Sequence, residues 1–299
     1  MPVTRGDHVL ELESGRTVGY SVYGDPNGQV VLNCHGGLVS GHDAAPADER
    51  ARALGICVVS PDRPGIGRTD RLPGHGMLPW VRADVVPLLA HLGLDRFSVL
   101  GWSEGGQYAL AVAYELGEQV LRCAVVAGCP PLDDASTFRE LNRLDRRLSS
   151  LSTRAPGLAR GYFRLTGLLA GAAPRQVIRL ATRELPADEA EAVRAQGRWL
   201  PTILGEGAHQ PRGCVDEYRA MSAPWGFAPE DVGVPVAVFQ GGADVLVPPA
   251  WGQALAERIP RGTLRSVPGG GHFIALTRST DILRYLAGSA EPVAEPPAS

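Results

Sequence analysis

The sequence predicts an α/β protein with a mostly parallel sheet and helices on both faces. Strand-like runs such as VVLNC (30–34) are apolar almost throughout, and continuous apolar runs are typical of strands buried on both faces. Runs with helical spacing lie between these strands. A chain of 299 residues with 44% hydrophobic and 20% charged residues is long enough for one large domain with an insertion.

The N-terminal third of the chain already alternates between strands and helices. In chain order we predict an edge hairpin (7–13 and 16–23), a buried strand (30–34), a helix (43–54), a buried strand with a following loop (55–70), a helix (78–92) and a buried strand (97–100). The hairpin is predicted from apolar and polar alternation around Ser14 and Gly15. Pro87 interrupts a helical pattern and predicts a kink, because proline has no backbone N–H.

The stretch VLGWSEGGQYAL places Ser103 at the tip of a tight turn between a strand and a helix. Gly101 and Gly105 flank the serine where side chains are least tolerated if Ser103 adopts a positive φ. Gly106 lets the helix approach the strand. In this context the GxSxG pattern indicates a nucleophile elbow, and a turn without chemistry is the alternative.

In the second half of the chain the alternation of strands and helices is interrupted by a long helical stretch and then resumes. A strand at 121–131 precedes residues 132–222, which are rich in Arg, Leu and Ala with helical spacing, as at 138–151 and 186–200. We predict a helical cap here over the carboxyl edge of the sheet, and a separate helical domain beside it is the alternative.

The predicted core comprises residues 1–131 and 223–287. Its later elements are predicted as a strand within 234–249, a helix at 250–259, a strand at 263–267 and a helix at 273–287. The tail 288–299 is rich in Pro, Ala and Glu, and we predict that it is disordered.

A serine hydroxyl needs a general base, and the base needs an orienting acid. Among seven histidines, His272 follows a late strand in a Gly-rich loop before the final helix, so we predict that it is the base. Asp244 follows the strand VAVF and two glycines, and it is the predicted acid. Asp133 and Asp134, which follow the strand at 121–128, are the alternatives.

Acyl transfer also needs hydrogen-bond donors for the developing oxyanion. The backbone N–H of Glu104, directly after the serine, is one predicted donor. The second is predicted in the loop HGGL, at Gly37, with Leu38 as the alternative. His35 is interpreted as a buried hydrogen-bonding residue that fixes this loop.

Five motifs in this order resemble the α/β-hydrolase superfamily over about residues 7–131 and 230–287. They are HGG (35–37), PDRPGIG (61–67), GWSEGG (101–106), GGAD (241–244) and GGGH (269–272). The resemblance implies an eight-stranded sheet whose second strand is antiparallel, a helical cap, and a cofactor-free esterase-like activity. Asp62 and Arg63 are interpreted as structural.

The chain departs from two branches of that superfamily. A serine at position 103 disfavours members with an Asp nucleophile, such as epoxide hydrolases and haloalkane dehalogenases. HGG without a following Pro departs from the HGGP pattern of proline iminopeptidases. We therefore predict a serine hydrolase of a carboxylic ester, thioester or lactone. Acyl transfer, cyclisation or haloperoxidase-like perhydrolysis on the same serine is an alternative, and a ligand-binding receptor without turnover is another.

Substrate contacts are predicted for Leu38, Trp102 and Phe273, although aromatic residues in such a domain are more often core. The Glu104 side chain is interpreted as forming a salt bridge with an arginine, and recognition of a cationic substrate is the alternative. The arginines of 132–222 are interpreted as solvated helix faces paired at i,i+4 with interleaved acids such as Asp188, Glu189 and Glu191.

Composition limits the classes of partner and the compartment. The net charge of −3 gives no electrostatic case for nucleic acid or an anionic membrane, which leaves a small-molecule substrate. The charged N-terminus and the lack of a long apolar run predict a cytoplasmic protein. Five cysteines without CxxC spacing predict buried free thiols, with no disulfide or zinc site. We predict no metal and no cofactor, and the oligomeric state is left open.

Overall fold

The computed structural model describes residues 3–288 and contains one eight-stranded sheet. The strands are β1 (Gly6–Glu11), β2 (Thr17–Gly24), β3 (Gln29–Cys34), β4 (Ile56–Pro61), β5 (Phe97–Trp102), β6 (Val120–Val126), β7 (Val236–Gly241) and β8 (Gly262–Val267). Their order across the sheet is β1-β2-β4-β3-β5-β6-β7-β8. The pairs that β2 forms with β1 and β4 are antiparallel and the other five strand pairs are parallel, so the predicted mostly parallel sheet is confirmed.

Helices cover both faces of the sheet. They are α1 (Asp48–Ala53), α2 (Met77–Trp80), α3 (Val86–Leu92), α4 (Gly105–Glu115), α5 (Ala135–Glu140), α6 (Arg143–Arg154), α7 (Pro156–Ala172), α8 (Pro174–Ala181), α9 (Ala187–Ala195), α10 (Trp199–Gly207), α11 (Pro211–Met221), α12 (Pro249–Arg258), α13 (Ile274–Thr277) and α14 (Ser279–Leu286). The central strands have the continuous apolar sequences that burial on two faces requires, and all six residues of β4 are buried.

Three apolar clusters form the core. One packs α3, α4 and α12 against one face of the sheet, around residues such as Trp80 and Leu110. A second packs α1 and α14 against the other face and includes Ile203 of α10. The third, which includes Phe163, Tyr218 and Trp251, joins helices of residues 132–222 to the core. We call residues 132–222 the helical insertion.

Several predicted helices begin or break at positions that local chemistry explains. The helix predicted at 78–92 contains a π-helical turn at Val81–Val85, which ends two residues before Pro87. Pro87 cannot donate a backbone hydrogen bond, so the regular α-helical pattern is interrupted there. The run 186–200 splits because Gly197 has φ of 61°. The run 138–151 splits where Asn142 caps α6 by accepting from the Asp145 N–H at 3.0 Å.

Other boundaries differ more modestly. The helix predicted at 43–54 begins as a 3₁₀ turn at Gly41–Ala47 that contains Pro46. The helix predicted at 273–287 is divided between α13 and α14. All five cysteines are buried and free, as predicted. The predicted disordered tail lies outside the described residues, apart from Gly288.

Candidate active site

Three neighbouring strands end in residues with left-handed backbone conformations. Leu38, Ser103 and Ala127, in the loops after β3, β5 and β6, have φ of 59°, 55° and 49°, and they are the non-glycine residues with positive φ among residues 3–288. Such conformations cost roughly 1–3 kcal/mol each and are concentrated at functional sites. The carboxyl edge of the sheet at β3, β5 and β6 is therefore the candidate functional site.

Close backbone approaches explain the glycines around Ser103. A Cβ on Gly105 would clash with the carbonyl oxygen of Cys34, and a Cβ on Gly101 would clash with that of Gly105. A Cβ on Gly106 would lie 2.8 Å from Val125 Cγ1 on β6. The turn therefore requires glycine at each position, and it presents Ser103 between β5 and α4.

The side chains of Ser103, His272 and Asp244 form one continuous chain of hydrogen bonds. Ser103 Oγ lies 3.0 Å from His272 Nε2, and His272 Nδ1 lies 2.9 Å from Asp244 Oδ2. His272 and Asp244 are buried, whereas Ser103 is partly exposed. This arrangement can transfer a proton from the hydroxyl to the imidazole while the carboxylate fixes the ring.

Asp244 is held rigidly by the backbone that follows it. Its Oδ1 accepts hydrogen bonds from the N–H groups of Leu246 at 2.8 Å and Val247 at 3.0 Å, which leaves Oδ2 for His272. The alternative acids are placed elsewhere. Asp134 caps α5 by accepting from Ser136 and Thr137, and Asp133 is exposed.

The loop carrying His272 is fixed by Glu189, a residue that sequence reasoning placed on a solvated helix face. That interpretation is wrong, because Glu189 of α9 is fully buried. Its two carboxylate oxygens accept the backbone N–H groups of Gly271 and Phe273, on either side of His272. The indole N–H of Trp102 donates to the His272 carbonyl at 3.0 Å. Nothing in the local sequence ADEAEAV distinguishes Glu189 from its exposed neighbours.

The predicted oxyanion donors lie on two segments that approach each other closely. A Cβ on Gly37 would clash with the Glu104 carboxylate, which places the loop after β3 beside the start of α4. His35 fixes that loop as predicted: its Nε2 accepts from the Arg63 N–H at 3.0 Å, and Nδ1 lies 2.8 Å from the Gly36 carbonyl oxygen. Burial lowers the pKa of His35 well below its usual range, which agrees with an Nε2 that accepts a hydrogen bond and therefore carries no proton.

A buried ionic cluster lies beneath the site. Arg63 Nε donates to Glu217 Oε1 of α11 at 2.7 Å, and both side chains are fully buried. Arg63 also donates to the carbonyl oxygens of His35 and Gly36, and its guanidinium lies 4.5 Å from the Tyr108 ring centre. The arginine therefore joins the loop after β3, α4 and the helical insertion.

The Glu104 side chain does not form the predicted salt bridge. It is buried, no ion pair is found for it within the described chain, and its Oε1 has no hydrogen-bond partner there. Burial, reinforced by the nearby Glu217 carboxylate, raises the pKa of Glu104 well above its usual range. Burial and the neighbouring carboxylate therefore both favour the neutral form of Glu104.

The three predicted substrate contacts face different spaces. Trp102 and Phe273 line a cavity of about 220 Å³ that is also lined by Trp199 and Leu283. Leu38 packs instead against the apolar cluster that joins the insertion to the core. Neither Leu38 nor Ser103, His272 and Asp244 are among the residues that line this cavity.

Two kinds of feature are absent from the described part of the chain. Within residues 3–288, His, Cys, Asp and Glu side chains form no group of three or more that could hold a metal ion. Within the same residues, helices that combine the length and apolarity needed to cross a membrane are absent.

Comparisons with known proteins agree with the architecture. The sequence model of the family described as "alpha/beta hydrolase fold" matches residues 29–279. The curated "Putative carbamate hydrolase RutD" of Caulobacter sp. (strain K31) is 28% identical over 242 residues, spanning 78% of this chain and 81% of that protein.

Solved structures are similar over nearly the whole chain. The enol-lactonase from Burkholderia xenovorans LB400 has a TM-score of 0.69 at 18% identity, with 94% of this chain and 98% of that chain covered. The bromoperoxidase from Bacillus anthracis has a TM-score of 0.68 at 18% identity, with the same two coverages of 94% and 98%. At such identities these likenesses show a shared fold.

Proposed function

The chain belongs to the α/β-hydrolase family and is an enzyme of that type, and we propose that it is a serine hydrolase that cleaves a carboxylic ester, thioester or lactone. The observation that supports this proposal most strongly is the hydrogen-bonded chain Ser103–His272–Asp244, with distances of 3.0 Å and 2.9 Å. The strained backbone of Ser103 supports it independently, because left-handed non-glycine residues are unfavourable without a compensating role.

In the first half of the proposed reaction, Ser103 Oγ attacks the substrate carbonyl carbon while its proton passes to His272 Nε2. The carbonyl oxygen becomes an oxyanion, which accepts from the backbone N–H groups of Glu104 and Gly37. When the tetrahedral intermediate collapses, the bond to the leaving group breaks and His272 returns the proton to that group. The acyl group remains esterified to Ser103.

In the second half, His272 removes a proton from water, and the resulting hydroxide equivalent attacks the acyl carbon. The Ser103 ester bond breaks, the proton returns to Oγ, and the carboxylic acid leaves. Asp244 stays ionised and stabilises the imidazolium in both halves. If a nucleophile other than water attacks the acyl group, the result is acyl transfer or perhydrolysis. Product analysis must therefore identify which molecule receives the acyl group from Ser103.

A fluorophosphonate probe tests the nucleophile directly. We expect the native protein to be labelled and Ser103→Ala to remain unlabelled, because only an activated serine reacts readily. Ser14→Ala, which removes an exposed turn serine, is the matched control and should label normally. Absence of labelling in the native protein, with tight binding of a small ligand, contradicts the enzyme mechanism and favours a receptor.

Turnover of activated esters, thioesters, lactones and carbamates then tests the substrate class. Carbamates belong in the panel because the curated relative is named for carbamate hydrolysis. Asp244→Asn should reduce kcat by about 10⁴-fold, because the amide no longer stabilises the required histidine tautomer. Asp134→Asn removes an alternative acid and should leave kcat near native. The opposite ranking of the two variants contradicts the assigned triad.

A further inference from the structure

Helices α6 to α8 of the insertion carry a concentrated positive charge. Between positions 146 and 183 the sequence has eight arginines and no aspartate or glutamate, although the whole chain has a net charge of −3. The arginines are Arg146, Arg147, Arg154, Arg160, Arg164, Arg175, Arg179 and Arg183. The net charge of the whole chain therefore does not reveal the positive charge of this segment.

These eight arginines are not neutralised within the described chain. Ion pairs to carboxylates are found for other arginines in residues 3–288, but for none of these eight. All except Arg146 are exposed. The i,i+4 pairing expected from the sequence is therefore wrong for this segment, because no acidic residue is available at those spacings. The charge is free to attract an external anion.

Apolar side chains are exposed on the same helices. Leu158, Tyr162, Leu165 and Leu169 recur at helical spacing along α7 and are all exposed, whereas Phe163 and Ala170 turn toward the core. Leu158 is 69% exposed and Leu180 of α8 is 70% exposed. Helix α7 therefore has one apolar face in the protein and a second apolar face in solvent, with arginines on the surface between them.

Between α8 and the end of α9 lies a surface cleft lined by four arginines. Arg175, Arg179, Arg194 and Arg198 border it together with Ile178, and its volume is about 540 Å³. Among these guanidinium groups, Arg194 donates to Thr182 Oγ1 at 3.1 Å. Guanidinium groups gathered without a carboxylate repel one another, and a phosphate bound among them relieves that repulsion.

We propose that α7 and α8 form a docking face for an anionic lipid bilayer, with the leucines inserted at the interface and the arginines on the phosphate groups. Charge and apolarity on one surface are what an interfacial helix requires. A second copy of the chain is disfavoured, because two such faces repel each other. Nucleic acid would satisfy the arginines but would leave the leucines without an apolar partner.

The full-length protein can be sedimented with phosphatidylcholine vesicles prepared with or without phosphatidylglycerol. We expect binding to the phosphatidylglycerol vesicles, weakened by added salt. Arg175→Gln/Arg179→Gln should weaken it roughly 25-fold, since each arginine contributes about fivefold. Leu165→Ser/Leu169→Ser should weaken it at least about tenfold. The control variant Arg96→Gln/Arg261→Gln replaces two exposed arginines outside the helical insertion. It should bind the vesicles as the native protein does.

Three outcomes overturn the proposal. The first is equal binding, or no binding, to the two kinds of vesicle. The second is binding of single-stranded RNA that the leucine substitutions leave unchanged, which assigns the face to nucleic acid. The third is a concentration-dependent dimer that the leucine substitutions dissociate, which assigns the face to a second copy. Because the exposed substitutions leave the core intact, thermal unfolding should be native-like for every variant.

Discussion

Arg63 and Arg179 place the same side chain in opposite surroundings. Arg63 is fully buried, paired with Glu217, and bonded to two backbone carbonyl oxygens. Arg179 lies exposed beside other arginines, and no carboxylate within residues 3–288 pairs with it. Composition alone cannot tell such residues apart. Burial makes the first charge structural, and isolation from carboxylates makes the second available to a partner.

Loss of Arg63 gives the largest effect that this comparison predicts. Arg63→Met should lower the free energy of unfolding by about 3–5 kcal/mol, because Glu217 remains buried without its partner. Urea unfolding measures the change. Arg179→Met, the matched exposed control, should change stability by less than about 0.5 kcal/mol.

A double substitution tests the cause of that loss. Arg63→Met/Glu217→Leu should recover much of the lost stability, since it removes the uncompensated charge together with its partner. Equal effects of Arg63→Met and Arg179→Met would contradict the distinction between paired and free arginines. No recovery in the double variant would assign the effect of Arg63 to its backbone hydrogen bonds instead.

Glu189 gives an intermediate case, because its partners are amides rather than a cation. Glu189→Ala leaves two buried N–H groups without an acceptor, at about 1–3 kcal/mol for each such group. We expect kcat to fall while KM changes little, because the loop carrying His272 loses its alignment. Glu191→Ala, an exposed neighbour, is the control. Restoration of kcat in Glu189→Gln, whose amide oxygen accepts one N–H, would separate positioning from a general loss of folding.

The smallest effect is expected at His42, which is partly exposed between Glu206 and Asp7. The hydrogen bond to Glu206 at 2.7 Å, helped by Asp7 at 2.9 Å, raises the pKa of His42 to about 9. The unfolded-state pKa is about 6.5. The contribution to stability is therefore complete below about pH 6.5 and is lost as the pH rises through about 9.

The melting temperature measured from about pH 6 to about pH 10 tests this pH dependence. Native protein should lose stability more steeply than His42→Gln between about pH 6.5 and about pH 9, and the two curves should run parallel above that. His91→Gln, which changes a half-buried histidine on α3, should follow the native curve. Identical slopes for the native protein and His42→Gln would mean that the ion pair contributes nothing.

Features that depend on residues nearby in the sequence could be predicted, whereas features that depend on distant residues could not. The positions of Ser103 and His272 follow from glycines and strand ends that lie within a few residues of them, and the buried strands follow from uninterrupted apolar runs. Glu189 and Glu217 could not be placed in this way. Their partners are 82 to 84 and 154 positions away, and their burial depends on how the helices of the insertion pack.

The hydrogen bonds from the backbone N–H groups beside His272 to Glu189 couple the position of α9 to the position of the His272 side chain. If α9 moved away to admit a substrate, the loop that carries His272 would lose both of its hydrogen-bond acceptors on Glu189 at once. In such an open form the proposed catalytic serine and histidine would be misaligned, and they would realign only when α9 returned to its place.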